Sequence, residues 1–402
     1  MKEKKDSSVR QSKNERIEAH LQEKYDFRFN VIKSKPEYRV KGSGNSFQPI
    51  TKFALNSFKR RIDVEVGLST SVDNIRGILE SDFSQRVHPV KEYFTQLPRS
   101  NPDENQYILQ LAQTITLANP EKWYEYLTKW LIGVAANALE NIGCQNHTCL
   151  VLTGEQGKFK TTWLDYLCPL SLKSYLFTGK IDPQSKDTLT LIAEYLFINI
   201  DDQLKALNKR DENELKNLIT TPAVKYRRPY DVYIEEYPHL ASFMASVNGN
   251  DFLTDPTGSR RFLPFEVVKV DLKAVGKINM DNVFSEIMWL FDNGYRYWFV
   301  DEEITELHKI SQQFHVQTVE YEMLMQGFQK PEDTEESFLT TARILNYLQS
   351  YASVRLSEKR MGEALHKAGF ERVSKRLSEY SSPVYCYKIK KVKPNPFFDH
   401  DL

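Results

Sequence analysis

Four cysteines in 402 residues, Cys144, Cys149, Cys168 and Cys386, are too few and too irregularly spaced for a disulfide framework in a chain of this length. That scarcity fits a reducing compartment, and the sequence reads as cytoplasmic. No run of about 18 uncharged apolar residues occurs, and the charged start Met1–Lys5 leads into no apolar segment, so neither a membrane span nor a secretory signal is expected. Net charge is missing as well: 54 lysines and arginines balance 54 aspartates and glutamates. A surface for polyanions must therefore be local. Internal repeats and low-complexity tracts are absent too, which leaves ordinary folded domains. The apolar material for them is present, at 41% hydrophobic and 12% aromatic residues, under a surface drawn from 27% charged residues. At roughly 100–200 residues per domain, two or three domains are expected.

Residues 1–24 mix both charges, and Ile17 and Leu21, four apart, suggest only a marginal helix that frays. From Tyr25 to Ile50 aromatic and β-branched residues alternate loosely with polar ones around Gly42-Ser43-Gly44-Asn45, the chemistry of a turn between short strands. Helical spacing marks Ser71–Leu97 and Asn105–Asn141, with Trp123, Leu127, Trp130, Leu131 and Val134 as a core stripe. Cys149–Thr153, Leu196–Ile200 and Ala241–Val247 are short apolar runs of the buried-strand kind, separated by helical patterns near 161–168, 185–193 and 212–220. Strand and helix alternation of this kind predicts an α/β sheet. The acidic cluster after Gln329-Lys330-Pro331 marks a linker. The expected organisation is a mixed, partly helical N-terminal region at 1–105, a central α/β domain at 106–327, a linker at 328–337 and a small domain at 338–402. In the last, Phe338–Tyr351 and Leu356–Ala368 read as helices and Val384–Val392 as a strand, the outline of a winged helix. Between Arg355 and Lys393, eleven basic residues face four acidic ones, a local +7.

The strongest local signal is Gly154-Glu155-Gln156-Gly157-Lys158-Phe159-Lys160-Thr161, directly after a strand and before a helix. Backbone N–H groups of such a turn and the positive end of the helix cradle phosphates, so Gly154 to Thr162 are the candidate nucleotide contacts. Lys160 would reach the outer phosphates of ATP, and the Thr161 hydroxyl would hold Mg²⁺. Phe159 stands where the pattern wants glycine, awkward wherever the backbone needs positive φ. Asp201 and Asp202 end the second strand. There Asp201 would join the Mg²⁺ shell and Asp202 would polarise water. Asn248 leaves the third strand as a residue able to orient water. In Asp255-Pro256-Thr257-Gly258-Ser259-Arg260-Arg261-Phe262, a guanidinium of Arg260 or Arg261 could stabilise charge at a neighbouring subunit's phosphate, or simply form a surface salt bridge. Lys225-Tyr226-Arg227-Arg228-Pro229-Tyr230 interleaves cations with aromatics, as a hairpin tracking single-stranded DNA would, with Lys225, Arg227 and Arg228 on phosphates. Lys359 and Arg360 begin the helix that would enter a DNA groove. Cys144, His147 and Cys149 offer only three ligands, and no metal is expected there.

The ordered series of Gly154–Thr162, the strand to Asp202, Glu214-Leu215-Lys216, Tyr226-Arg227-Arg228-Pro229-Tyr230, Ser246-Val247-Asn248 and Asp255–Phe262 resembles the virulence-associated protein E family over about residues 75–300. His88-Pro89-Val90-x-x-Tyr93 also resembles that family. The resemblance implies a P-loop NTPase core similar to superfamily 3 helicases of the AAA+ type, followed by a winged-helix-like module. It implies an ATP-driven motor, Mg²⁺-dependent and oligomeric as a hexameric ring, that moves on single-stranded or forked DNA during replication of a phage or mobile element. Lys160, Thr161, Asp201, Asp202 and Asn248 match the family's site, and Arg260 or Arg261 its trans-acting arginine. Phe159 departs from the family's glycine and Asp202 from the glutamate of many relatives. No primase site is apparent in residues 1–105, so priming falls to a separate protein. Two alternatives stay open: a non-catalytic DNA-binding replication or regulatory protein with a degenerate nucleotide site, and a P-loop kinase, against which the paired aspartates and basic C-terminal module both speak.

Overall fold

The computed structural model describes residues 11–140, 142–228, 232–254, 259–316, 318–331 and 337–392. Two compact units part between Phe314 and His315. The first begins with the helix Lys13–Lys24, closed by a capping box in which the Ser12 hydroxyl accepts from the Glu15 N–H and the Glu15 carboxylate accepts from the Ser12 N–H. Ile17 and Leu21 are buried against Leu55, Phe58 and Ile62 of the helix Lys52–Val66. The fraying expected from two apolar residues is thus overridden by tertiary packing. Strands β1 (Tyr25–Asn30), β2 (Lys35–Val40), β3 (Gln48–Pro49) and β4 (Gln85–Val87) form a sheet in the order β3-β2-β1-β4. Gly42 and Gly44 supply φ of 73° and 66° between β2 and β3, the left-handed backbone that a glycine turn provides.

The larger sheet contains β5 (Ile115–Leu117), β6 (Cys149–Thr153), β7 (Leu176–Gly179), β8 (Phe197–Asp201), β11 (Ser242–Ser246) and β12 (Phe262–Val270), in the order β5-β12-β6-β11-β8-β7. All of its pairings are parallel except β5 with β12. Strand β6 lies between β12 and β11 and is buried throughout, as expected of a parallel strand covered on both faces. One face packs on the helices Trp123–Leu139, Lys160–Tyr166 and Met280–Asp292, and the other on Lys186–Glu194 and Lys209–Thr220. Trp123 and Trp130 are core residues. A separate hairpin, β9 (Ala223–Tyr226) with β10 (Glu235–Pro238), precedes β11.

Two strands of this sheet depart from sequence expectation. Ile115–Leu117, inside the stretch read as helical, is a strand because β12 offers it hydrogen bonds. β12 itself contains Pro264, a residue that argues against a central strand when only sequence is considered. The second unit holds the helix Val319–Gly327, strands β13 (Phe328–Gln329), β14 (Ser337–Leu339), β15 (Arg372–Lys375) and β16 (Val384–Lys391), and the helices Thr341–Gln349 and Glu358–Lys367. Phe328, expected in the linker at 328–337, is instead buried in a strand paired with β16, so the units part before it. The acidic residues 332–336 lie outside the described residues, as do 1–10 and 393–402. Among the described residues no helix is long and apolar enough to cross a membrane.

Candidate functional site

Because β6, β8 and β11 run parallel, their carboxyl ends lie along one edge of the sheet, and three loops meet there. The loop after β6 carries Gly154 at φ 122° and Gly157 at φ 82°. A Cβ on Gly154 would stand 2.8 Å from the Val267 carbonyl oxygen, so the loop reaches its path against β12 only with glycine. Phe159 then takes φ 59°, ψ 27° at the start of the helix Lys160–Tyr166, and its ring is 54% exposed. The position that the motif assigns to glycine does require left-handed backbone here, and phenylalanine adopts it with its side chain turned to solvent.

Lys160 is 5% exposed, and its ammonium donates to the Gly154 and Glu155 carbonyls at 3.0 and 2.6 Å and to Asn248 Oδ1 at 3.2 Å. Burial lowers its pKa, opposed by the Asp202 carboxylate and reinforced by Lys158. Thr161 Oγ1 donates to Asp201 Oδ1 at 2.8 Å. Asp202, at φ 46°, accepts from the Asn248 N–H at 3.0 Å and from Asn248 Nδ2 at 2.7 Å. Lys160, Thr161, Asp201, Asp202 and Asn248, drawn from three segments, therefore share one crevice. Glu155 and Lys158 pair with each other at 3.2 Å on its exposed rim, and Thr162 is exposed on the next position of the helix.

The sequence of this region matches the virulence-associated protein E-like domain over residues 97–316, more than half of the chain. The chain belongs to the virulence-associated protein E-like family. Its fold is similar to the apo structure of the NrS-1 C-terminal region, at TM-score 0.53 and 11% identity over 96% of this chain and 100% of that one. Two further structures of that region, both described as the A form, are similar at TM-score 0.48 and 11% identity, over 94% and 93% of this chain and 99% and 98% of theirs. No curated protein matches the chain.

Other candidate residues of this family member lie elsewhere. Arg260 and Arg261 directly precede β12, whose Phe262 is in register with Cys149 at the amino end of β6. They stand at the opposite edge of the sheet from Lys160, about 17 Å away for a five-residue strand. There they line a cavity of about 270 Å³ with Gln145, His147, Tyr297 and Trp298. Arg261 Nε is buried without a hydrogen-bond partner. The neighbouring motif residues 255–258 lie outside the described residues.

Arg228, expected on DNA, points into the protein. It is 9% exposed, its Nη2 donates to the Ile32 carbonyl at 2.7 Å, its Nε is 3.4 Å from Glu194, and its guanidinium stacks 4.3 Å from the Tyr237 ring centroid. A side chain so engaged is a structural anchor. Arg227 is exposed, and Lys225 is exposed and paired with Glu236 at 3.0 Å. Pro229 and Tyr230 lie outside the described residues, but the returning limb exposes Val232, Tyr233 and Ile234 at 77%, 74% and 72%. In the second unit, Lys359 and Arg360 are exposed on the first turn of the helix Glu358–Lys367. Cys144 donates to the carbonyls of Asn146 and Ile219, and His147 bonds the Cys144 carbonyl, so both serve the loop before β6.

Residues that sequence reasoning did not assign to the site support it from beneath. Ser246 Oγ lies 3.0 Å from Asp201 Oδ1 and 2.9 Å from Thr161 Oγ1. Asn199, fully buried within β8, donates to the Thr161 carbonyl at 3.2 Å and to Asp165 at 2.8 Å. The only sequence signal for Asn199 is an amide in the middle of an apolar run.

Proposed function

We propose that this chain is a Mg²⁺-dependent P-loop ATPase of the DNA-translocase type, acting in replication of a phage or mobile element. The observation that carries the reading is the Thr161–Asp201 pair beside buried Lys160, at the carboxyl ends of parallel strands. Two hard oxygens 2.8 Å apart suit Mg²⁺, and a glycine-lined turn leading into a helix suits a triphosphate. Bound MgATP supplies the electrophilic phosphorus and charge neutralisation for hydrolysis. Lys160 would exchange its loop carbonyls for phosphate oxygens, Asp201 and Thr161 would hold the metal, and Asp202 with Asn248 would orient water.

The position of Arg260 and Arg261 at the far edge of the sheet favours their service to a neighbouring protomer, in a head-to-tail ring such as a hexamer. DNA would meet Lys225, Arg227 and the exposed tip Val232–Ile234 in the first unit, and Lys359 and Arg360 of the winged-helix-like second unit. A separate primase would supply primers. Phenylalanine in place of the motif's glycine at position 159 is what a second reading rests on, a DNA-binding replication protein without turnover.

The test is ATP turnover by the purified protein with Mg²⁺, with and without single-stranded DNA. Turnover that rises with DNA and disappears in Lys160→Ala and Asp201→Ala is expected. Absence of turnover at every protein concentration would sink the ATPase reading and leave the second.

A further inference from the structure

Strands β8 and β11 place two polar side chains beneath the candidate metal-holding pair, and neither reaches solvent. Asn199 is 0% exposed between Ile198 and Ile200, where a parallel strand ordinarily carries an apolar residue. Its amide Nδ2 ties the first turn of the helix Lys160–Tyr166 to β8 through the Thr161 carbonyl and the Asp165 carboxylate. Its own Oδ1 is buried with no hydrogen-bond partner. An unsatisfied buried carbonyl costs about 1–3 kcal/mol, so the amide is a poor choice for packing alone.

Ser246, 3% exposed at the end of β11, closes a triangle of oxygens with Thr161 Oγ1 and Asp201 Oδ1, the three sides measuring 2.8, 2.9 and 3.0 Å. A hydroxyl has one hydrogen and two lone pairs. The two hydroxyls bring two hydrogens to three contacts, and with both donated to Asp201 Oδ1 the Thr161 oxygen keeps its lone pairs free to meet a metal. Ser246 donates its single hydrogen to the same carboxylate oxygen and holds it in place.

We propose that Ser246 and Asn199 are positioning residues for Mg²⁺-dependent nucleotide binding: Ser246 sets the Thr161 hydroxyl against Asp201, and Asn199 fixes the helix turn that carries Thr161. This rests on the nucleotide reading above. Outer partners that orient metal ligands typically change metal affinity 10–100-fold when removed.

The experiment is binding of a fluorescent ATP analogue to the full chain, titrated with Mg²⁺, alongside steady-state turnover. Ser246→Ala should raise the Mg²⁺ concentration for half-maximal binding about ten-fold. Its turnover at saturating Mg²⁺ should stay within about three-fold of wild type, since the groups touching substrate are retained. Ser246→Thr, which keeps a hydroxyl on a strand-compatible side chain, should restore the Mg²⁺ dependence even where Ser246→Ala lowers the nucleotide-free melting temperature. Asn199→Leu should shift the Mg²⁺ requirement in the same direction. A Ser246→Ala titration identical to wild type overturns the assignment while leaving the nucleotide reading standing. A wild-type chain that binds no nucleotide removes both.

Discussion

Asn248 holds Asp202 at both carboxylate oxygens, its backbone N–H on Oδ1 at 3.0 Å and its amide on Oδ2 at 2.7 Å, while its own Oδ1 accepts from Lys160. One amide thus connects the lysine proposed to meet phosphate oxygens with the carboxylate proposed to orient water. Asn248→Ala removes the side-chain half of that connection and keeps the backbone bond. Turnover of ATP should fall about a hundred-fold, in the range of a misplaced general base, with nucleotide affinity nearly unchanged. Equal losses in both quantities would assign Asn248 to binding alone.

Phe159 occupies φ 59° with its ring 54% exposed, so its side chain contributes little packing to offset the strain. Left-handed backbone costs a non-glycine residue about 1–2 kcal/mol. Phe159→Gly should therefore raise the melting temperature or leave it unchanged despite glycine's greater unfolded-state entropy, and nucleotide binding should persist. A variant that melts lower and binds no nucleotide would show that the ring itself is required.

Arg227 and Arg228 are adjacent, yet one faces solvent and the other the Ile32 carbonyl and Glu194. Arg228→Ala takes a partner from half-buried Glu194 and from the carbonyl of buried Ile32 and should destabilise the chain by about 1–3 kcal/mol in denaturant unfolding. Arg227→Ala should alter stability by less than about 0.5 kcal/mol. It should instead weaken binding to single-stranded DNA and lower the salt slope by about 0.7 for one lost phosphate contact. Reversed behaviour of the two variants would contradict the placement of both.

His88 caps the helix Pro89–Gln96 by accepting the Lys91 N–H at Nδ1, 3.1 Å away, which requires a neutral nitrogen there. Burial first, and the Lys91 charge second, depress its pKa from the ordinary 6.5 to about 4. A folded pKa below the unfolded one means the unfolded chain binds more protons between those values, so this contribution to stability is present above pH 6.5 and lost as pH falls toward 4. Melting temperature measured across that window should show a steeper acid limb in wild type than in His88→Asn, which can still cap. At neutral pH, His88→Ala should cost about 1 kcal/mol.

Much of the crevice was legible because its parts are contiguous. A five-residue apolar strand, glycines at the turn and a helix start lie within Cys149–Tyr166, and a carboxylate pair directly follows the next buried run. Hydrogen bonds within such a segment span few residues, so local pattern carries them. Ile17 and Leu21 show the limit from the other side: two apolar residues cannot announce a firm helix until Phe58 and Ile62 cover them. β12 was not read from sequence at all; its Pro264 pairs with Val151 of β6 outside the stretch Val267–Val270 that β5 covers.

By itself, the sequence determined the strand–turn–helix around Lys160, the carboxylates closing β8 and the alternation that makes a parallel sheet. Tertiary structure alone decided the rest. It put Arg228 on a carbonyl 196 residues away, sent Arg260 and Arg261 to the opposite edge of the sheet, and set Ser246 and Asn199 beneath Thr161. The physical reason is range: backbone conformation follows from neighbours in the chain, whereas the partner of a buried polar group is chosen by whichever distant segment packing brings within hydrogen-bond distance.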